Sequence, residues 1–543
     1  MLRPASAAGL GLVTLWLSLV VLIPLAAVVV TGAQGGWTAF VDAVTSPVAL
    51  SALTLSAGLS LAVAVVNGVV GTTVAWVLVR DPFRGSRLLD HVIDVPFALP
   101  TIVTGVVMIA LYGPASPVGV DLVGTRVGLF VTLLFVTLPF TVRTVQPVLE
   151  ALDRDAEQAA ASLGASGPTV FRRVVLPVIL PAIASGASLA FARALGEYGS
   201  LVLISSNIPK QTQVASALIY GKLEDATNPV TSTQQAASLA IVLLAVSVLV
   251  LVAVELLQRK GRAAMAEPTV TAPAGERRTG RRVVRTLVVA YVGVLVVLPL
   301  GVLVWRTFKP GLDAFVTAVT DPLAVHAFRM TAEVALISVA LTTVLGTVAA
   351  FLITRSGLPG MRVLDTLLGL PVSVSPIVVG LALILVYGST GWFGPTLESL
   401  GIQVILSVPG MVLATMFVSM PLVTRAVAPV LVARGTDQEQ AAESLGASAP
   451  VRFWRITLPG IRTALVTGVV LALARSIGEY GAVLVVSGNI QGQTETATLR
   501  VDTLYQTLLQ PDAAYAVTFV LVAVAILTIV ATSLLRRSQG GTR

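Results

Sequence analysis

The sequence predicts an all-α polytopic membrane protein built as two tandem six-helix halves. It should hold about twelve transmembrane helices, each with the roughly twenty apolar residues that a hydrocarbon core of about 30 Å requires. Three observations predict this. Hydrophobic residues make up 55% of the 543 and charged residues 11%, with a mean hydropathy of +0.92, outside the range of an ordinary soluble domain. Apolar stretches of spanning length recur along the chain without the period-two alternation of a membrane barrel strand. A set of residues also recurs at constant offsets, so the second half repeats the first.

In chain order the spans fall near 9–31, 53–79, 92–112, 127–149, 177–206 and 237–257, then 283–305, 331–354, 366–387, 403–432, 459–488 and 514–535. Helices are expected throughout, because a backbone in lipid must satisfy its polar groups within each segment. The first run, Gly9 to Val30, is longer than the apolar region of a secretory signal, and no convincing small-residue cleavage site precedes Trp37. It is therefore expected to stay as a helix. Cysteine is absent and histidine is limited to His91 and His326, so disulfides are excluded and neither a metal site nor a cofactor is expected in the chain.

Charge gives the orientation. With the N-terminus in the cytoplasm, 24 basic residues fall in inside loops, eight of them within 259–285. Lys210, Lys222, Arg306, Lys309, Arg329 and Arg500 fall outside. The positive-inside rule thus places both termini in the cytoplasm, and the net charge of +8 needs no nucleic-acid partner to explain it.

The repeat is specific. Pro24, Arg80, Asp90, Tyr112 and Gly113 recur 275 positions later as Pro299, Arg355, Asp365, Tyr387 and Gly388. Pro139, Arg143, Pro147, Gly164, Pro177, Arg193, Glu197 and Asn207 recur 282 positions later as Pro421, Arg425, Pro429, Gly446, Pro459, Arg475, Glu479 and Asn489. One duplication with about seven residues inserted after Gly388 accounts for both offsets. Six spans per copy is an even number, so the copies share one orientation and relate by a pseudo-two-fold axis along the membrane normal. The domains are expected at 1–258 and 283–543, joined by a cytoplasmic linker at 259–282 that is too polar and too rich in Pro, Ala and Gly to bury a core.

Between the fourth and fifth helix of each copy runs a polar loop, 150–177 and 433–459. Each begins with acidic residues, continues through an alanine-rich turn to Leu-Gly, and restarts at Ser166 or Ser448 with a proline soon after. Acids at the start and glycine at the stop punctuate a short helix. Its small residues, Ala159, Ala160, Ala441 and Ala442, allow close approach by another protein.

These loops resemble the EAA loop of binding-protein-dependent ABC importer permeases of the type I fold. Gly164 and Gly446 are each followed ten residues later by an I-x-L-P-like element, Val174-Val175-Leu176-Pro177 and Ile456-Thr457-Leu458-Pro459. The resemblance covers essentially the whole chain, and the motif occurs twice at the proper place in the topology. It implies a bacterial cytoplasmic (inner) membrane location and two copies of a cytoplasmic ABC ATPase, which would bind ATP and Mg. It further implies an extracytoplasmic substrate-binding protein, with docking to the ATPase through Glu157, Gln158, Ala159, Ala160 and Gly164 and through Glu439, Gln440, Ala441, Ala442 and Gly446. One departure is plain: Gln158 and Gln440 hold the motif's glutamate position, with Glu157 and Glu439 one residue earlier. Docking by shape survives that change better than a specific salt bridge does.

The chain itself is not expected to be an enzyme. It has no G-x-x-x-x-G-K-[ST], and its only Gly-Lys pair, Gly221-Lys222, lacks the upstream glycine and the hydroxyl that hold phosphate and magnesium. Neither histidine stands beside a plausible nucleophile. After the fifth helices come FARALGEYGSLVLISSNIPKQTQ and LARSIGEYGAVLVVSGNIQGQTETATLRVDTLY. They are similar to the two distinct permeases of sulfate/thiosulfate importers, and molybdate or tungstate permeases carry related sequences. The resemblance therefore implies a small oxyanion, with Asn207, Gln211, Thr212, Asn489, Gln493 and Thr494 on the receptor side.

Arg193 with Glu197, and Arg475 with Glu479, stand four apart on one helical face, roughly 24 Å along the helix from Pro177 or Pro459 in each copy. Charges at that depth face a partner or a watery path. The plain reading is that each Arg neutralises its Glu and fixes packing. The alternative makes Arg193, Glu197, Tyr198, Arg475, Glu479 and Tyr480 the translocation path, with the arginines attracting an anion. Arg143 and Arg425 are read as snorkelling toward the cytoplasmic face. An ion-coupled secondary transporter with Glu197 and Glu479 as proton carriers fits the hydropathy and the repeat, but leaves the two docking loops unexplained and sets an Arg beside a carboxylate that must protonate.

Overall fold

The computed structural model describes residues 4–152, 154–263, 278–356 and 360–540. Among them there is no strand, and ten helices are long and apolar enough to cross a membrane. The halves repeat in three dimensions down to their irregularities. A π-helical turn at Ser18–Leu22 recurs at Gly293–Val297, and one at Phe171–Val175 recurs at Phe453–Thr457.

Within each half the long second helix, Pro47–Arg80 or Pro322–Arg355, packs on Arg126–Ala151 or Val408–Arg434, which in turn packs on Leu176–Leu195 or Leu458–Ile477. Ser46 and Asp321 cap the second helices by accepting backbone N–H groups, and a proline follows each at the first helical position, where no N–H is needed. The halves clasp each other through their first helices. Ile23–Ala33 lies on Pro376–Tyr387 of the second half, and Leu298–Phe308 lies on Thr101–Tyr112 of the first. The Tyr387 hydroxyl donates to the carbonyl of Leu19 across this contact at 2.9 Å. Burial runs without a break from one half into the other.

Two expectations change. The stretch 92–112 is not one span but two helices, Ser86–Ala98 and Thr101–Tyr112, bent by 113°. Leu99 is extended at the break because Pro100 forces the preceding residue out of the helical region. Its counterpart breaks likewise between Met361–Gly369 and Pro376–Tyr387. The stretches 177–206 and 459–488 also end early, at Leu195 and Ile477, and the chain turns before short helices Gly199–Val202 and Gly481–Ser487. Hydropathy cannot register such a break, because its flanks stay apolar. The linker expected at 259–282 lies largely outside the described residues. Its margins are helical, 259–263 closing Pro229–Ala263 and 278–282 opening Arg278–Val292.

Candidate functional site

The Gly-Glu-Tyr-Gly breaks set the geometry at the centre. Glu197 turns back to Arg193 in an ion pair and, with its other oxygen, accepts the N–H and hydroxyl of Ser200 at 2.9 Å each, so it caps the next helix. Glu479 pairs with Arg475 at 2.8 Å and accepts the N–H of Ala482 at 3.1 Å. Both carboxylates are buried, and the backbone carbonyls of Glu197 and Glu479 accept from the hydroxyls of Ser216 and Thr498. The turns meet the opposite half closely. A side chain at Gly196 would strike the backbone of Ser375, one at Gly478 would strike Pro100, and Ser375 donates its hydroxyl to the Gly196 carbonyl at 2.9 Å. Pro100 and Ser375 are equivalent positions, so the contact is reciprocal.

Between the halves lies a cavity of about 790 Å³, lined from both sides by Arg143, Arg193, Arg425 and Arg475 together with Asp90, His91 and Asp94 of the first half. Arg193 and Arg475 reach it. Glu197, Tyr198, Glu479 and Tyr480 lie behind its wall, buried. Arg143 and Arg425 do not snorkel outward; both line this cavity. Arg143 is held by Asp90 and Asp94 at 2.6 Å each, by the Asp90 carbonyl at 2.7 Å and by Gln146 at 2.8 Å. Arg143 stands eight positions before the end of its helix at Ala151, about 12 Å, so the cavity lies on the side of the polar loops.

Those loops form short helices, Arg154–Ser162 and Asp437–Ser444, as their punctuation predicts. Gly164 and Gly446 stand at φ +86° and +85°, the left-handed stop that glycine tolerates. The N–H of Ala165 reaches back to the Ala160 carbonyl and that of Ala447 to Ala442, completing the stop. Ala159 and Ala441 are exposed, Ala160, Ala442 and Gln158 are half-buried, and Gln440 is exposed. Leu163 and Leu445 protrude at 89% exposure each, an apolar knob at the end of each helix. Glu157 and Glu439 turn inward instead, to Arg80 at 2.7 Å and Arg355 at 2.6 Å. Sequence reasoning missed these partners, although Arg80 and Arg355 were both marked by the repeat.

On the other side, Asn207 and Asn489 adopt φ +48° and +49°. Thr212 and Thr494 are buried, and their hydroxyls accept the N–H groups of Ile208 and Ile490, each at 3.2 Å. Asn207, Gln211 and Gln493 face outward, and Asn489 is half-buried. These residues shape a tight turn that the two copies share.

The chain matches the family described as the binding-protein-dependent transport system inner membrane component twice, over 67–262 and 342–542. It is 43% identical over 250 residues to the sulfate transport system permease protein CysW of Synechococcus elongatus, covering 46% of this chain and 87% of that protein. The protein CysT of Synechocystis sp. is 43% identical over 255 residues, covering 46% and 87%. That of Salmonella typhimurium is 37% identical over 264 residues, covering 47% and 94%. Each relative thus spans about half of this chain.

Proposed function

The chain belongs to the family of binding-protein-dependent transport system inner membrane components, present as two permease units in one polypeptide, and from that premise we propose that it carries a small oxyanion inward, sulfate or thiosulfate before molybdate or tungstate. The observation that carries this reading is the arginine-lined cavity between the halves, which offers a divalent oxyanion guanidinium N–H donors in a water-accessible place inside the membrane. The names of the relatives support sulfate as the first choice.

The mechanism is alternating access. A receptor delivers the anion on the side of the Asn207 and Asn489 turns, and two cytoplasmic ATPases, binding ATP and Mg, receive the short helices Arg154–Ser162 and Asp437–Ser444. Leu163 and Leu445 are the contacts that suit an apolar cleft, while Glu157 and Glu439 tie each short helix to its own half. Closure of the ATPases then moves the fifth helices, Leu176–Leu195 and Leu458–Ile477, through the segments that join them. The chain sits in the inner membrane with both termini cytoplasmic, its units at 1–258 and 283–543 and a tether between. The test is labelled sulfate and molybdate uptake, with the ATPase and receptor co-expressed, in a strain lacking its own sulfate and molybdate importers. ATP-dependent accumulation of sulfate is expected, and accumulation of neither anion would sink the proposal.

A further inference from the structure

The two halves are not equivalent inside the cavity. Arg143 of the first half is neutralised and hydrogen-bonded by Asp90, Asp94 and Gln146. At the matching places around Arg425 the second half has Asp365, Gly369 and Ala428, so one carboxylate and one amide are gone. Asp365 is felt only through space; among the described residues no hydrogen bond or ion pair reaches Arg425, which is exposed into the cavity. Its Nη2 lies where a side chain at position 369 would begin, 2.9 Å from the Cβ that Gly369 lacks. Arg193 and Arg475 each keep a glutamate. The first-half wall, with two aspartates around one arginine, is therefore negative, and the second-half wall is positive at Arg425.

We propose that Arg425 is the anion's station within the cavity, its guanidinium left free by Gly369 and Ala428 to hold the oxyanion through paired N–H···O bonds. An unpaired guanidinium in a membrane-embedded cavity is costly, and a planar fork matches two oxygens of a tetrahedral anion. The aspartates opposite repel the anion and confine it to one wall, so the station is single although the fold is duplicated. This rests on the oxyanion reading above.

The full chain with its ATPase and receptor tests it. Gly369→Asp restores the first half's counter-ion, Gly369→Asn adds the same bulk without charge, and Arg425→Gln removes the station. Sulfate uptake should fall by about tenfold or more in Gly369→Asp and Arg425→Gln, the scale of a charge-assisted hydrogen bond, and stay within about twofold in Gly369→Asn. Receptor-stimulated ATP hydrolysis should persist in all three. Normal uptake in Gly369→Asp, equal loss in Gly369→Asn, or loss of ATPase stimulation together with uptake would overturn the station. Should Gly369→Asp fail to reach the membrane, unchanged uptake in Arg425→Gln overturns it alone. Failure of the unaltered complex to move any oxyanion would instead overturn the functional reading, and the station with it.

Discussion

The rings of Tyr198 and Tyr480, one from each half, stack with centroids 6.3 Å apart and planes within 8° of parallel. They are 5% and 1% exposed, and neither reaches the cavity, whose wall includes Gly478 two residues earlier. In each half the tyrosine follows the helix that lines the cavity and precedes the turn at Asn207 or Asn489.

If the stack seals that side, replacing both rings by leucine should let proteoliposomes loaded with labelled sulfate leak without ATP, while the double phenylalanine variant holds its load. The stacking itself contributes only about 0.5–1.5 kcal/mol beyond burial, so assembly should survive. Leucine and phenylalanine variants that retain sulfate equally well would place the seal elsewhere.

The ion pairs Arg80 with Glu157 and Arg355 with Glu439 fasten the short helices to the ends of the second helices. Arg80→Gln with Arg355→Gln should leave ATP hydrolysis running but lower uptake, because the short helix moves without its half. A double-mutant cycle on Arg80 and Glu157, read from thermal stability of the purified complex, should give about 0.5–3 kcal/mol of coupling. Strict additivity would mean that the pair transmits nothing.

Gly164→Val and Gly446→Val together should uncouple ATP hydrolysis from transport. A β-branched residue in the left-handed region costs on the order of 1–2 kcal/mol at each site, enough to unwind a helix this short. Wild-type uptake by an assembled double variant would refute this.

The charges at Arg193, Glu197, Arg475 and Glu479 should prove separable from folding. Replacing arginines by methionine and glutamates by glutamine removes each pair as a unit, which often costs little, and the glutamine oxygen can still accept from Ser200 or Ala482. The complex should assemble with a partial transport defect. Removing Arg193 alone strands the buried carboxylate of Glu197 and should lower abundance in the membrane, measured by immunoblot, more than the fourfold change does.

How much of this was legible beforehand follows from what each signal measures. Hydropathy located the long helices, and the 275 and 282 offsets located the repeat, because both are properties of spacing. The short helices were legible in the acids and glycines at their ends. The break at Pro100 was hidden by apolar neighbours, and the partners of Arg143 were hidden because Asp90 lies 53 residues away, on a short helix that hydropathy merges with the one after the break. The difference between Asp94 and Gly369 was in plain view, but it acquires meaning only once both positions face one cavity.

Fusion of the halves also governs assembly. As separate chains, two second halves that met would set two unpaired Arg425 side chains across one cavity, and two first halves would confront aspartate with aspartate. The reciprocal meeting of Gly196 with Ser375 and of Gly478 with Pro100 does not by itself forbid such homodimers, since glycine meets a small backbone turn in every pairing. Covalent continuity does. It turns subunit recognition into an intramolecular event at an effective concentration on the order of millimolar, fixes the stoichiometry at one to one, and lets the halves diverge without evolving a means to tell each other apart.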